Sequence, residues 1–173
     1  PDDRFLYLSD VLPTAWQAVE YAAVPEGGSL VVLGLGPIGD MSCRIALHRG
    51  AGRVIGVDLV GERLTRARRR GVHVLDLAGH GKHLADVIRD LTDGRGPDVI
   101  LEMLANVNLD HDLTVVAPSG RIVVIGNRGR VEIDARKIMS KDVSVFGLAL
   151  WGVPADEVRR AHEAIVAGLD SGA

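Results

Sequence analysis

The sequence has one cysteine, Cys43, in 173 residues. That excludes any intramolecular disulfide and any thiolate cluster for a structural metal. Aromatic residues make up only 3% of the chain, so its core must be built from aliphatic side chains. No apolar run approaches the roughly 18 residues of a membrane-spanning helix, and no charged segment followed by an apolar one marks a signal peptide. By default these absences lead to the expectation of a cytoplasmic protein with no membrane partner. The net charge of −3 gives no general attraction to nucleic acid. The basic run Arg66, Arg68, Arg69 and Arg70 therefore reads as a solvated helix face rather than a nucleic-acid surface. An apolar content of 47% argues against disorder and for one well-buried domain spanning residues 1–173, with 1–24 as a lead-in.

What the sequence does have is a stretch, SLVVLGLGPIGDMSCRIA, around which the rest is organised. Val31, Val32 and Leu33 suit a buried parallel strand. Ile38, Met41, Ile45 and Ala46 fall on one face at helical period. Between strand and helix stand Gly34, Gly36 and Gly39, spaced G-x-G-x-x-G. The first glycine serves the tight turn, the second allows a pyrophosphate to approach the backbone, and the third allows close packing of helix on strand. Pro37 fits the first helical turn, where a missing N–H costs nothing, and the free N–H groups with the positive dipole end point at an anion.

A second apolar strand, RVIGVD, ends at Asp58, 22 residues past Gly36. A dinucleotide site needs a ribose acceptor at about that separation. The competing reading is a purely structural strand–helix–strand unit in which Asp58 caps the following helix. Further along, GERLTRARRRG reads as a helix and HVLDL as a third strand. HLADVIRDLTDGRG is a helix, DVILEML a fourth strand apolar on both sides, Leu109 to Val116 a helix, and RIVVIG a fifth strand. VSVFGLALW is a sixth strand, and PADEVRRAHEAIVAGL a helix closing at Gly168. Before the first strand, Trp16, Val19 and Ala23 share one helical stripe. This alternation predicts an α/β fold, a doubly wound parallel sheet of three αβα layers. His80 and His83 share a glycine-flanked stretch without a second ligand pair, and read as loop residues rather than a zinc site.

With the glycine turn, the acid-ended second strand and the lead-in LSDVLPTAW in view, the chain resembles the coenzyme-binding (Rossmann) domain of medium-chain dehydrogenases/reductases over essentially its whole length. Up to about Pro97, LSDVLPTAW, GLGPIG and VIRDLTDGRGP resemble zinc-dependent alcohol and formaldehyde dehydrogenases. From Asp98 on, ILEMLANVNLDHDL, RIVVIGNRG and IMSKDVSVFGLALW resemble zinc-free quinone oxidoreductases of the zeta-crystallin type. The resemblance implies an oxidoreductase that moves hydride between NAD(H) and an alcohol, aldehyde or quinone, with NAD in preference to NADP. The alternative is a non-catalytic NAD(P)H-binding or redox-sensing module.

The resemblance also implies site residues. Gly34, Gly36, Pro37, Ile38 and Gly39 fall under the pyrophosphate, Asp58 and Arg63 at the adenosine ribose, and Thr14 near the nicotinamide. The backbone around Ile125, Gly126 and Phe146 falls at the carboxamide. Asp10 takes the position of a zinc ligand whose partners belong to a separate catalytic domain, absent from these residues, so zinc is expected only in the complete enzyme. A homodimer is expected through strand 143–150. Asp40 departs from the pattern, with a carboxylate where the family has an apolar residue.

Overall fold

The computed structural model describes residues 2–80 and 83–171. Of the two histidines expected in a loop, His80 closes the helix Leu77–His80 and His83 is the N-cap of the helix Leu84–Asp90, while the two residues between them lie outside the described ones. Six strands, β1 (Ser29–Leu33), β2 (Arg53–Asp58), β3 (His73–Asp76), β4 (Val99–Glu102), β5 (Arg121–Val124) and β6 (Ser144–Gly147), form one sheet. Its order is β3-β2-β1-β4-β5-β6 with every pair parallel. The chain builds outward from β1 to β3, then returns to lay β4 on the other side of β1. The connections leaving β1 and β4 thus depart in opposite directions, which opens a crevice above the carboxyl ends of these two strands. The expected doubly wound α/β fold is present.

Strand periodicity sorts the core. Leu30, Val32, Leu101 and Val123 face one layer, where they pack with Ala15, Ala18 and Val19 of α1 (Val11–Ala22) and with Cys43 and Ala46 of α2 (Pro37–His48). Leu64 and Ala67 of α3 (Gly61–Arg68) join them. Val31, Ile55, Ile100 and Ile122 face the other layer, which holds Ile88 and Leu113. That layer is made by α4 (Leu77–His80), α5 (Leu84–Asp90), α6 (Ala105–Val115) and α7 (Arg136–Lys141). The last helix, α8 (Ala155–Ser171), lies with α1 and runs past Gly168. Among the described residues no helix is long and apolar enough to cross a membrane.

Several expectations need adjustment. Ala23 is not on the buried stripe of α1; it is exposed, with φ 43°, as the left-handed residue that ends the helix. The burial of α1 is wider than a stripe, taking in Thr14, Ala15, Gln17 and Ala18, because the helix is wedged between sheet, α2 and α8. Helix α6 starts four residues before Leu109, where Ala105 donates to the Gly126 carbonyl. The sixth strand ends at Gly147, and Leu150–Gly152 turn as a short 3-10 helix.

Candidate functional site

The three fingerprint glycines have three different reasons to lack a Cβ. Gly34 has φ 108°, a conformation that L side chains rarely adopt, and donates to the Val57 carbonyl at 2.8 Å. A Cβ on Gly39 would collide with the Gly34 carbonyl, so that residue is set by helix-on-strand contact. A Cβ on Gly36 would meet no protein atom within 4 Å, and the residue has an ordinary extended backbone, φ −63° and ψ −174°. Its missing side chain thus leaves open space directly over the start of α2. Pro37 opens that helix, and the first helical bond is donated by Asp40 to the Gly36 carbonyl, so the N–H groups of Ile38 and Gly39 precede the ladder.

Asp58 sits at the end of β2, 8% exposed, with its carboxylate turned toward the glycine turn. Oδ2 accepts the Leu35 N–H at 2.7 Å; Oδ1 accepts those of Leu59 at 2.7 Å and Val60 at 2.8 Å. Arg63, about half exposed, reaches Oδ2 at 3.4 Å. Burial pushes the Asp58 pKa up, but the N–H groups of Leu35, Val60 and Leu59, with Arg63, outweigh it and hold the carboxyl below its ordinary value. Val60, not Asp58, is the N-cap of α3.

Asp40 does not face the open side of the turn. It bonds Arg70 Nη1 and lies 3.5 Å from Arg66 Nε, and Arg66 also donates to the Leu35 carbonyl at 3.3 Å. Two members of the arginine run are therefore tied to α2 and the glycine turn, and only part of that face is merely solvated. One turn below Asp40, Cys43 is fully buried; burial first, and then the Asp40 charge, push its thiol up to about 12.

Across the crevice, Met103 packs beside Gly34 while its carbonyl abuts Gly126. Ile125 and Gly126 both donate to the Glu102 carbonyl, at 2.8 and 3.2 Å. Gly34, Met103, Ile125 and Gly126 therefore adjoin at the switch between β1 and β4. Phe146 is not with them. Its ring lies under the sheet edge, 6.4 Å from Tyr21 and 5.6 Å from the Arg121 guanidinium. Ser144 donates to Gly120 and Leu148 to Val124, so by strand alternation the Phe146 N–H belongs to the β5 ladder. The backbone that runs past the end of β5 is that of residues 148–150.

Thr14 is buried and donates its hydroxyl to Asp10 Oδ1 at 3.0 Å. Asp10 occupies the N-cap of α1 but makes no side-chain cap bond, so its exposed carboxylate is spent on Thr14 rather than on helix capping. Among the described residues no group of three His, Cys, Asp or Glu stands together as a metal site. Sequence reasoning passed over four apolar side chains. Leu59 (63% exposed) and Val60 (42%) flank Asp58, and Leu104 (36%) and Val107 (57%) follow β4. For three of them the signal was an apolar pair immediately after each strand-ending acid, Leu59-Val60 and Met103-Leu104; Val107, five residues past Glu102, had none.

The family model of zinc-binding dehydrogenases matches residues 37–167. Human quinone oxidoreductase is 33% identical over 162 residues, which is 92% of this chain and 48% of that protein. The likeness to quinone oxidoreductase is thus wider than the second half in which the motifs carried it. An uncharacterized zinc-type alcohol dehydrogenase-like protein of Escherichia coli, YphC, is 36% identical over 129 residues, 74% of this chain and 36% of that one. Among solved structures, the alcohol dehydrogenase TADH from Thermus sp. ATN1 superposes with a TM-score of 0.86 at 27% identity, covering 99% of this chain and 49% of that one. The chain spans about half the length of human quinone oxidoreductase and of the Thermus alcohol dehydrogenase.

Proposed function

The chain belongs to the zinc-binding dehydrogenase family, and from that membership we propose that it binds NAD(H) across the β1/β4 crevice as the coenzyme domain of an oxidoreductase. The observation that carries this is the open face of Gly36 above the start of α2, where a Cβ would meet nothing of the protein. A pyrophosphate there is held by the N–H groups of Ile38 and Gly39 and by the helix dipole. Leu59 and Val60 offer apolar surface to the adenine side, and Leu104 and Val107 to the nicotinamide side. Thr14, Ile125 and Gly126 border the nicotinamide end; the segment 148–150 takes the role that the sequence suggested for Phe146. Bound NAD supplies the hydride chemistry with an alcohol, aldehyde or quinone, and the protein supplies position and exclusion of water. Zinc, in such an enzyme, requires ligands beyond Asp10, because a catalytic site takes three protein ligands and an open position.

Asp58 accepts the ribose hydroxyls in this reading. The long 3.4 Å contact from Arg63 marks the weakest partner on Oδ2, and a ribose hydroxyl takes its place. A 2′-phosphate would bring about −1.5 to −2 charges to that carboxylate. Arg66 and Arg70 are engaged by Asp40 and do not offset it. Loss of one hydrogen bond to a charged group, about 1.5–3 kcal/mol, sets an expected preference for NADH of about ten- to hundredfold. Calorimetric titration with NADH and NADPH checks this, and equal affinities would overturn the role of Asp58.

We also infer a homodimer through 143–150. Strand β6 is an open edge of the sheet, Val145 is 41% exposed on it and Trp151 92% just beyond. Exposed apolar edges are normally paired or covered. Sedimentation equilibrium is expected to give twice the chain mass; a monomer independent of concentration removes the idea.

A further inference from the structure

Strand β4 ends in a carboxyl that the dinucleotide reading does not use. Glu102 is 0% exposed, and Asp112 of α6, itself 4% exposed, is the carboxyl group that neighbours it in the interior. Glu102 Oε1 accepts the backbone N–H of Leu104 and, at 3.2 Å, the Asn108 amide. Oε2 of Glu102 and Oδ2 of Asp112 are both buried and reached by no hydrogen-bond donor. Two carboxylates cannot bond through acceptor oxygens alone, so the contact requires a proton between them. One shared proton is also the partner that both orphaned oxygens lack.

We propose that the Glu102–Asp112 pair, bridged by one proton, is a positioning device that holds the Met103–Leu104 turn forming one wall of the crevice. Its mechanical link is short. The Leu104 N–H is tied to the Glu102 carboxyl, Met103 packs on Gly34 and Gly126, and Ala105 donates to the Gly126 carbonyl. When the proton leaves for solvent hydroxide, two negative charges face each other in a buried site and the turn loses its anchor.

The surroundings offer no counter-charge. From β1 and β5 the residues beside Glu102 in register are Leu33 and Val124. On α6, Asp110 is paired with Lys137 of α7 and His111 is exposed. Arg89 of α5 and Lys141 of α7 donate to backbone carbonyls at the end of α6, those of Thr114 and of Leu113, Thr114 and Val116. Burial first, then the Glu102 charge, push the Asp112 pKa up to about 9, while burial also raises that of Glu102. The pair thus keeps its proton at neutral pH and gives it up in the alkaline range.

The test combines two readouts on the intact protein across pH 7 to 10, with Asp112→Asn as the comparison. Without ligand, wild type is expected to show the infrared C=O stretch of a protonated carboxylic acid that titrates away near pH 9, with loss of hydrogen-exchange protection at Leu104 in parallel. Asp112→Asn keeps a permanent donor to Glu102, so it loses the titrating band and retains Leu104 protection throughout. With ligand, NADH affinity of wild type is expected to fall about tenfold from pH 8 to pH 10, while that of the variant stays level. Absence of the acid band, or Leu104 protection indifferent to its loss, overturns the proposal. So does an NADH affinity that is flat in wild type. The ligand arm rests on the dinucleotide reading: if the ligand-free changes occur and NADH binds at no pH, that reading fails and the anchoring of the turn stands.

Discussion

Gly39→Ala is expected to destabilise the protein by about 3 kcal/mol or more, whereas Gly36→Ala leaves stability within about 0.5 kcal/mol and removes NADH binding. The two glycines lie three residues apart in one turn, and local propensity favours alanine at Gly39, inside α2, by about 1 kcal/mol. That gain is overwhelmed because the new methyl would overlap the Gly34 carbonyl, a backbone atom fixed by its neighbours in β1 and β2. Relief requires moving α2 off the sheet, which breaks the packing of Cys43 and Ala46. At Gly36 the backbone already has a conformation open to any L-residue, and the methyl projects into solvent. In the proposed coenzyme site, that is where the pyrophosphate comes closest. For a chain of this size, about 3 kcal/mol lowers the melting temperature by about 6–12 °C. Thermal denaturation of both variants, with NADH titration of Gly36→Ala, separates the two roles. Wild-type melting of Gly39→Ala removes the packing argument, and undiminished NADH binding by Gly36→Ala removes the phosphate site.

Asp58→Ala is expected to cost about 3 kcal/mol at neutral pH even without cofactor, since hydrogen bonds to a buried charged group are worth about 1.5–3 kcal/mol each and do not add fully. Three backbone N–H groups, of Leu35, Leu59 and Val60, lose their acceptor together, and one of them belongs to the glycine turn. Asp58→Asn keeps an oxygen for one side of that set and is expected to fall between. The pH dependence follows from the direction of the shift. The folded pKa of Asp58 lies below the ordinary carboxylate value, so its stabilisation is complete above about pH 4 and is lost as pH falls through the folded pKa. Urea denaturation at pH 7, 5 and 3 is therefore expected to show a constant gap between wild type and Asp58→Ala at the first two values and a smaller one at the third. A gap that does not shrink in acid means that the carboxylate charge is not what holds the turn.

Short-range requirements were legible in the sequence. Gly34 and Pro37 answer local backbone demands, Gly39 answers the contact of helix on strand, and Gly36 and Asp58 follow from spacing. The layered sheet was legible too, because Val31 and Val32 must alternate between two apolar faces. Partners distant along the chain were not. Asp40 read only as a departure from the family pattern, and only the fold brings Arg70, thirty residues later, to its side. DVILEML read as a strand apolar on both sides, which passed over the fully buried Glu102 within it. Helix α7 buries no residue, so it has no apolar period to find, and the first turn of α6 alternates Ala105, Asn106, Val107 and Asn108 without helical period. The resemblance concerned the backbone around Phe146; the place of its ring, beside Tyr21 and Arg121, is announced by no local pattern.

The buried thiol of Cys43 has a practical consequence. Thiolate, not thiol, reacts with oxidants and alkylating reagents, and a fully buried sulfur pushed up to about 12 offers almost none of it in the folded chain. As the sole cysteine, and one that sits in the helix whose start forms the glycine turn, it can be labelled only when α2 lifts from the sheet. The rate of its modification by a maleimide therefore counts those openings directly, with no engineered probe. A cofactor bridging the glycine turn and the far wall of the crevice should slow that clock in proportion to its occupancy.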